Sequence, residues 1–299
     1  MQTFITQLWE DRSQVTLTSY ILHNSKEFHT NKVRPAVLVC PGGGYLFTSD
    51  REAEPVALRF ASLGYQVFVL RYSVYPIKEP INPFDLPDPS ATQFPQPLLD
   101  VAQAIKTIRD HAAEWFVDPN QIAVAGFSAG GHLAASIGAH WHEVFLQEKL
   151  ATDSEYLKPN ALILGYPMLD FAYMKKQFAQ VTDIRQRGFL GLMNRAIFGT
   201  TEPTDEQLYQ RNPINHVSEK MPPTFIWHTA EDDLIASAHS LHLATALAAN
   251  QVPYELHIFE KGGHGLSMCD ETTATEQSQI HPEVGQWFNM AVTWLKGKF

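Results

Sequence analysis

Ile122 to His140 reads I-A-V-A-G-F-S-A-G-G-H-L-A-A-S-I-G-A-H. Its first residues, Ile122 to Ala125, are a short apolar run of the kind that forms a buried strand. From Ala129 onward the segment is rich in alanine and has high helix propensity. Between them stands Gly126-Phe127-Ser128-Ala129-Gly130, a G-x-S-x-G turn whose strand-before, helix-after setting marks a nucleophile elbow. The spacing has a steric reason. A serine at the tip of so sharp a turn crowds the positions two before and two after it, and glycine supplies the room. The pattern predicts Ser128 as a nucleophile, with the helix N-terminus favouring negative charge beside it. The Ala129 backbone N–H is then placed to donate to an oxyanion. The competing reading is an ordinary strand-to-helix turn with Ser128 as N-cap.

Upstream, Val33 to Cys40 reads as a buried strand running into Pro41-Gly42-Gly43-Gly44-Tyr45. Consecutive glycines let backbone N–H groups face a ligand, which makes Gly43 and Gly44 the expected partners of Ala129 in an oxyanion hole. Val15 to His23 reads as an edge-like strand and Tyr65 to Tyr72 as a buried one. A helix is expected over Ala53 to Leu63, closed by Gly64, with Glu52 and Glu54 as acids favourable at its start. Residues 75–97 carry prolines at 76, 80, 83, 87, 89, 95 and 97, so neither helix nor central strand fits. A loop of that length inside a domain is expected to wall a site. Tyr45, Tyr72, Tyr75 and Phe127 flank the proposed site in sequence and are expected to form its substrate wall, rings suited to packing an acyl group as well as to stacking on a sugar face. Leu98 to Trp115 is strongly amphipathic.

Downstream, strands are expected at Ala161 to Tyr166, Thr224 to His228 and Tyr254 to Phe259, and helices at Ser237 to Asn250 and Pro282 to Lys296. Residues 171–223 break the alternation and read as a small helical insertion over the site. Strands alternating with helices predict one α/β domain over 1–299, its mainly parallel twisted sheet wrapped by helices on both faces.

A serine alcohol needs a base, and the base an orienting acid. Elbow enzymes carry them in the order Ser, acid, His. Of 13 histidines, His264 lies directly after the last strand between glycines that let a loop bend the imidazole toward the elbow. His132 falls one turn past Ser128 and is expected to pack or hydrogen-bond there; His228, His239, His242 and His257 read as structural. The acid is expected in Glu231-Asp232-Asp233 after the strand at 224–228. Asp232 is preferred, with Asp233 second and Asp170 third.

The chain of 299 residues is 44% hydrophobic and 18% charged, with a formal charge of -10 and no basic cluster. That argues against nucleic acid and anionic membrane surfaces as partners. Cys40 and Cys269 form neither a disulfide framework nor a metal spacing. Met1 to Arg12 lacks a secretion leader's basic start and apolar run, and no stretch reaches the ~20 apolar residues of a membrane span. A cytoplasmic protein is expected, with homo-oligomerisation left open.

Four segments together resemble a known family: P-G-G-G-Y from Pro41, G-F-S-A-G-G-H-L-A from Gly126, W-H-T-A-E-D-D from Trp227 and F-E-K-G-G-H-G from Phe259. They look like the α/β-hydrolase esterases, in particular the small acetyl-esterase or acetylxylan-esterase-like group related to the hormone-sensitive-lipase type. Lipase-type relatives usually have histidine where this chain has Pro41. The resemblance implies an α/β-hydrolase fold, a Ser128–His264–Asp232 triad and an oxyanion hole of Gly43, Gly44 and Ala129. It further implies small short-acyl or sugar-linked esters as substrates, hydrolysed without metal or organic cofactor. A prolyl-oligopeptidase-like peptidase and a non-catalytic binding module are the alternatives.

Overall fold

The computed structural model describes residues 1–27, 31–76 and 86–299. The segment 77–85 of the Pro-rich loop, with Lys78, Glu79 and Asp85, therefore lies outside the described residues.

Eight strands form one sheet: β1 (Gln2–Gln7), β2 (Thr16–Ile21), β3 (Arg34–Cys40), β4 (Gln66–Arg71), β5 (Val117–Phe127), β6 (Ala161–Gly165), β7 (Thr224–Thr229) and β8 (Tyr254–Phe259). Their order is β1-β2-β4-β3-β5-β6-β7-β8. The first three in that order pair antiparallel and the rest are parallel. Strand β2 is not the edge expected of it. Gln2–Gln7 adds a further strand outside it, polar and largely exposed, held by backbone pairing to β2.

The period of two along the strands divides the core between the sheet's two faces. Val37, Val39, Val67, Ala123 and Ala125 bury against α1 (Glu54–Ala61) and α9 (Trp287–Lys296). There Trp227 of β7 stacks on Trp287 of α9 at 4.9 Å between ring centroids. Leu38, Phe68, Leu70, Val124 and Leu164 bury on the other face, against α2 (Gln96–Asp110), α3 (Ala129–His140) and α8 (Ala238–Ala249). Each of the Val, Leu and Phe side chains among them contributes about 1.5–3 kcal/mol by leaving water.

A short helix, α4 (Val144–Leu150), follows α3 where the sequence carried no periodic signal. Between β6 and β7 the chain makes α5 (Phe171–Phe178), α6 (Ile184–Phe198) and α7 (Asp205–Arg211). The last helix starts at Trp287 rather than Pro282, after a 3-10 turn at Val284–Gln286. Among the described residues no helix is long and apolar enough to cross a membrane.

Register sets where the loops leave the sheet. Cys40 pairs with Gly126, Phe127 with Gly165, Gly165 with Trp227 and Thr229 with Phe259. The carboxyl ends of β3, β5, β6, β7 and β8 are thus level, and the loops after them meet at one edge, where ligands of open parallel sheets collect.

Candidate active site

The elbow closes around its glycines. A Cβ on Gly126 would strike the Gly130 carbonyl, and one on Gly130 the Cys40 carbonyl. Ser128 at the tip has φ 52° and ψ −117°, a conformation that costs free energy for a residue with a Cβ. Its backbone is pinned on both sides: N–H donates to the Gly165 carbonyl at 3.0 Å, and its carbonyl accepts from His132 and Met168. Ser128 Oγ lies 2.9 Å from His264 Nε2.

His264 Nδ1 lies 2.7 Å from Asp232 Oδ2. Asp232 is buried, and Oδ1 accepts from the Leu234 and Ile235 amides at 3.1 and 2.8 Å. Burial alone would raise its pKa; hydrogen bonds from His228 and His264 outweigh that and hold the carboxyl below the usual range. An ionised Asp232 only accepts, so Nδ1 of His264 carries the proton and Nε2 is left to accept from Ser128. His228 Nε2 donates to the Ile235 carbonyl at 2.7 Å and lies 3.3 Å from Asp232 Oδ2, which steadies the acid loop. Asp233 is exposed. Asp170 caps α5 and pairs with His242. Of the three candidate acids, Asp232 alone meets His264.

His132 joins three elements: Nδ1 meets the Tyr45 hydroxyl and Nε2 the Arg211 carbonyl, both at 2.7 Å. Burial lowers its pKa to about 4, so it is neutral. His239 is likewise buried, its pKa lowered to about 3 by burial, with Nδ1 accepting from the Leu169 and Asp170 amides.

Gly43 and Gly44 have φ of 125° and 64°. No protein acceptor among the described residues takes the N–H of Gly43, Gly44 or Ala129. Gly42 N–H donates instead to Glu52 Oε2 at 2.7 Å. This corrects the reading of Glu52 as a helix-dipole acid. Its side chain is turned inward, 3% exposed, and Oε1 accepts from the Tyr166 hydroxyl at 2.6 Å. The Tyr166 oxygen in turn accepts from Ser267 N–H at 3.0 Å. A buried chain therefore runs from the glycine loop through Glu52 and Tyr166 to the loop carrying His264. Local pattern could not reveal it, because its members are distant in sequence and each has an ordinary local explanation.

The expected substrate wall is also corrected. Tyr45, Tyr72, Tyr75 and Phe127 are at most 3% exposed and lie beneath the site. The Tyr72 hydroxyl donates to the Pro41 carbonyl, Tyr75 donates to that of Pro87, and Phe127 packs on Tyr166 and Trp287. Phe127 is turned inward as the last residue of β5, whereas Tyr45, Tyr72 and Tyr75 lie just past strand ends, where the backbone turn carries the rings into the core. The cavity over Ser128, about 230 Å³, is walled instead by Phe47, Phe189, Met193, Leu234, Ile235 and Arg51. Two of these come from α6 of the insertion. The described part of the Pro-rich loop does not line it. Among the described residues no group of His, Cys, Asp or Glu is set to hold a metal ion.

A profile of the BD-FAE family matches residues 21–247. The chain is 28% identical over 274 residues to an endo-1,4-beta-xylanase B of Butyrivibrio fibrisolvens, covering 91% of this chain and 39% of that protein. It is 26% identical over 257 residues to an acetylxylan esterase of Xylanibacter ruminicola, covering 84% and 45%. The chain thus spans less than half of these two relatives. A solved structure, the acetyl ester-xyloside bifunctional hydrolase from Caldicellulosiruptor lactoaceticus, superposes with a TM-score of 0.75 at 30% identity, covering 98% of this chain and 96% of that one.

Proposed function

The chain belongs to the BD-FAE family of α/β hydrolases, and on that premise we propose that it is a serine carboxylesterase acting on short-acyl esters, acetylated sugars among them. The observation that carries this is one line of contacts ending on a group with nothing else to do. Asp232 holds His264 Nδ1, and His264 Nε2 faces Ser128 Oγ at 2.9 Å, with the amides of Gly43, Gly44 and Ala129 lacking acceptors among the described residues.

In this mechanism His264 Nε2 takes the hydroxyl proton as Ser128 Oγ attacks the ester carbonyl carbon. The oxygen that gains charge accepts from Gly43, Gly44 and Ala129 N–H, rigid donors that need no reorganisation. On collapse the ester C–O bond breaks and His264 returns its proton to the leaving alkoxide. Water then attacks the acyl-enzyme with His264 again as base, releasing the acid and Ser128. Asp232 stays ionised and stabilises the imidazolium. The protein's part in this sequence is played by side chains and backbone amides, and water is the co-substrate.

The acyl end is short. Gly44 lies against α6, where a Cβ would come within 3.1 Å of Met193 Cγ and 3.5 Å of the Phe189 ring. A chain that outgrows this wall forgoes about 0.8 kcal/mol for each methylene left unburied. On a p-nitrophenyl ester series, kcat/KM is expected to peak between acetate and butyrate and to drop by octanoate. A maximum at decanoate or longer would overturn the short-acyl reading.

A further inference from the structure

Arg51 sits in the 3-10 turn Asp50–Glu52, between the glycine loop and α1, and lines the cavity over Ser128. It is half-buried. Nη2 donates to the Gly265 carbonyl at 2.7 Å and Nη1 to Gln279 Oε1 at 3.0 Å. A guanidinium carries five N–H donors, so five less these two leaves three without an acceptor among the described residues. No carboxylate among the described residues comes within 4.0 Å of it: Asp50 pairs with Arg71, and Glu52 faces inward. A partly desolvated guanidinium with donors and charge unmatched among the described residues is stabilised by whatever acceptor enters the cavity.

We propose that Arg51 recognises the alcohol half of the ester, and that this half carries hydrogen-bond-accepting oxygens, either the free hydroxyls of a sugar or the carboxylate of a sugar acid. The inference rests on the esterase reading above. Direction follows from the chemistry of collapse. His264 must protonate the leaving oxygen, so the alcohol begins at His264 and leads past its neighbour Gly265. A Cβ on Gly265 would lie 3.1 Å from Arg51 Nη2, which puts the guanidinium beside that path. The acyl carbonyl, by contrast, is held at Gly43 and Gly44 under Met193 and Phe189. One end of the cavity is apolar and close-walled; the other offers unpaired cationic donors.

Arg51 also braces the histidine loop, through its side-chain bond to the Gly265 carbonyl and through its own carbonyl, which accepts from Ser267 Oγ at 2.7 Å. The test must separate recognition from bracing. A mono-O-acetyl methyl xyloside and ethyl acetate form the same acetyl-enzyme and differ only in the alcohol, so the ratio of their kcat/KM values reads the alcohol site alone. In Arg51→Met this ratio is expected to fall roughly tenfold to a hundredfold, the effect of a hydrogen bond from a charged donor, and Arg51→Lys is expected to restore part of it. An acetylated methyl glucuronoside tells the two oxygen sources apart. A larger loss there than on the xyloside assigns the carboxylate, an equal loss the hydroxyls, and both uphold the proposal. If both esters slow alike and the ratio stays at its parent value, Arg51 only braces the loop and the proposal fails. Wild-type protein that hydrolyses neither ester overturns the esterase reading beneath it.

Discussion

The two oxygens of Asp232 have separate tasks, and this makes the residue hard to replace. Oδ2 accepts from His264, while Oδ1 accepts from two backbone amides that shape its own loop. An asparagine has one acceptor oxygen for both directions and cannot stabilise an imidazolium. Asp232→Asn is therefore expected to lower kcat by about 10⁴, whereas Asp233→Asn, at an exposed position, leaves it near the parent value. Steady-state kinetics of the two purified variants decides this, and the reverse ranking would move the acid to Asp233. The meeting of Ser128, His264 and Asp232 was legible because the elbow's glycines and the chain order of the motifs narrow each choice to a few neighbours. The cavity's side chains were not. Whether Tyr72 or Phe47 faces a ligand depends on which way the backbone turns after a strand, and no local periodicity records that. Glu52 was legible as an acid near a helix start, but its inward turn follows from the Gly42 and Tyr166 groups it meets.

At the scale of elements, His132 ties α3 to the glycine loop and to α7 while staying neutral. Its pKa falls from an unfolded value near 6.5 to about 4, because burial penalises the charged form. The sign is that of a depressed basic group. Above about pH 6.5 neither state holds the proton and nothing is lost. As pH drops toward about 4 the unfolded chain alone takes it up, and stability falls by on the order of 3 kcal/mol before levelling. Glutamine at this position can donate to Arg211 and accept from Tyr45 without titrating. Thermal melts near pH 7 and near pH 5 are expected to show a smaller acid-induced loss in His132→Gln than in the parent, by about 2 kcal/mol. Equal losses would mean that His132 carries no titration penalty. The elements that escaped the sequence carry little hydrophobic pattern, each for its own reason. Strand β1 is mostly exposed and held by backbone bonds, and α4 has seven residues, too few to establish a period.

The molecule as a whole gathers its chemistry at one sheet edge because parallel strands of matched register end level there. Alternating apolar runs and helices disclosed that architecture, and the joint resemblance of the four motifs agrees with the BD-FAE match over residues 21–247. The antiparallel β1–β2 flank and the packing of the insertion against Gly44 came only with the tertiary contacts. A nucleophilic Ser128 is the claim on which the rest depends, and covalent trapping reads it most directly. Diethyl p-nitrophenyl phosphate transfers its phosphoryl group to an activated serine and expels p-nitrophenolate. Mass spectrometry of the treated protein is expected to find one diethylphosphoryl group, on the peptide containing Ser128, with ester hydrolysis lost in step and no label in Ser128→Ala. Unlabelled protein that goes on hydrolysing esters, or a label on any other residue that abolishes activity, would contradict the account.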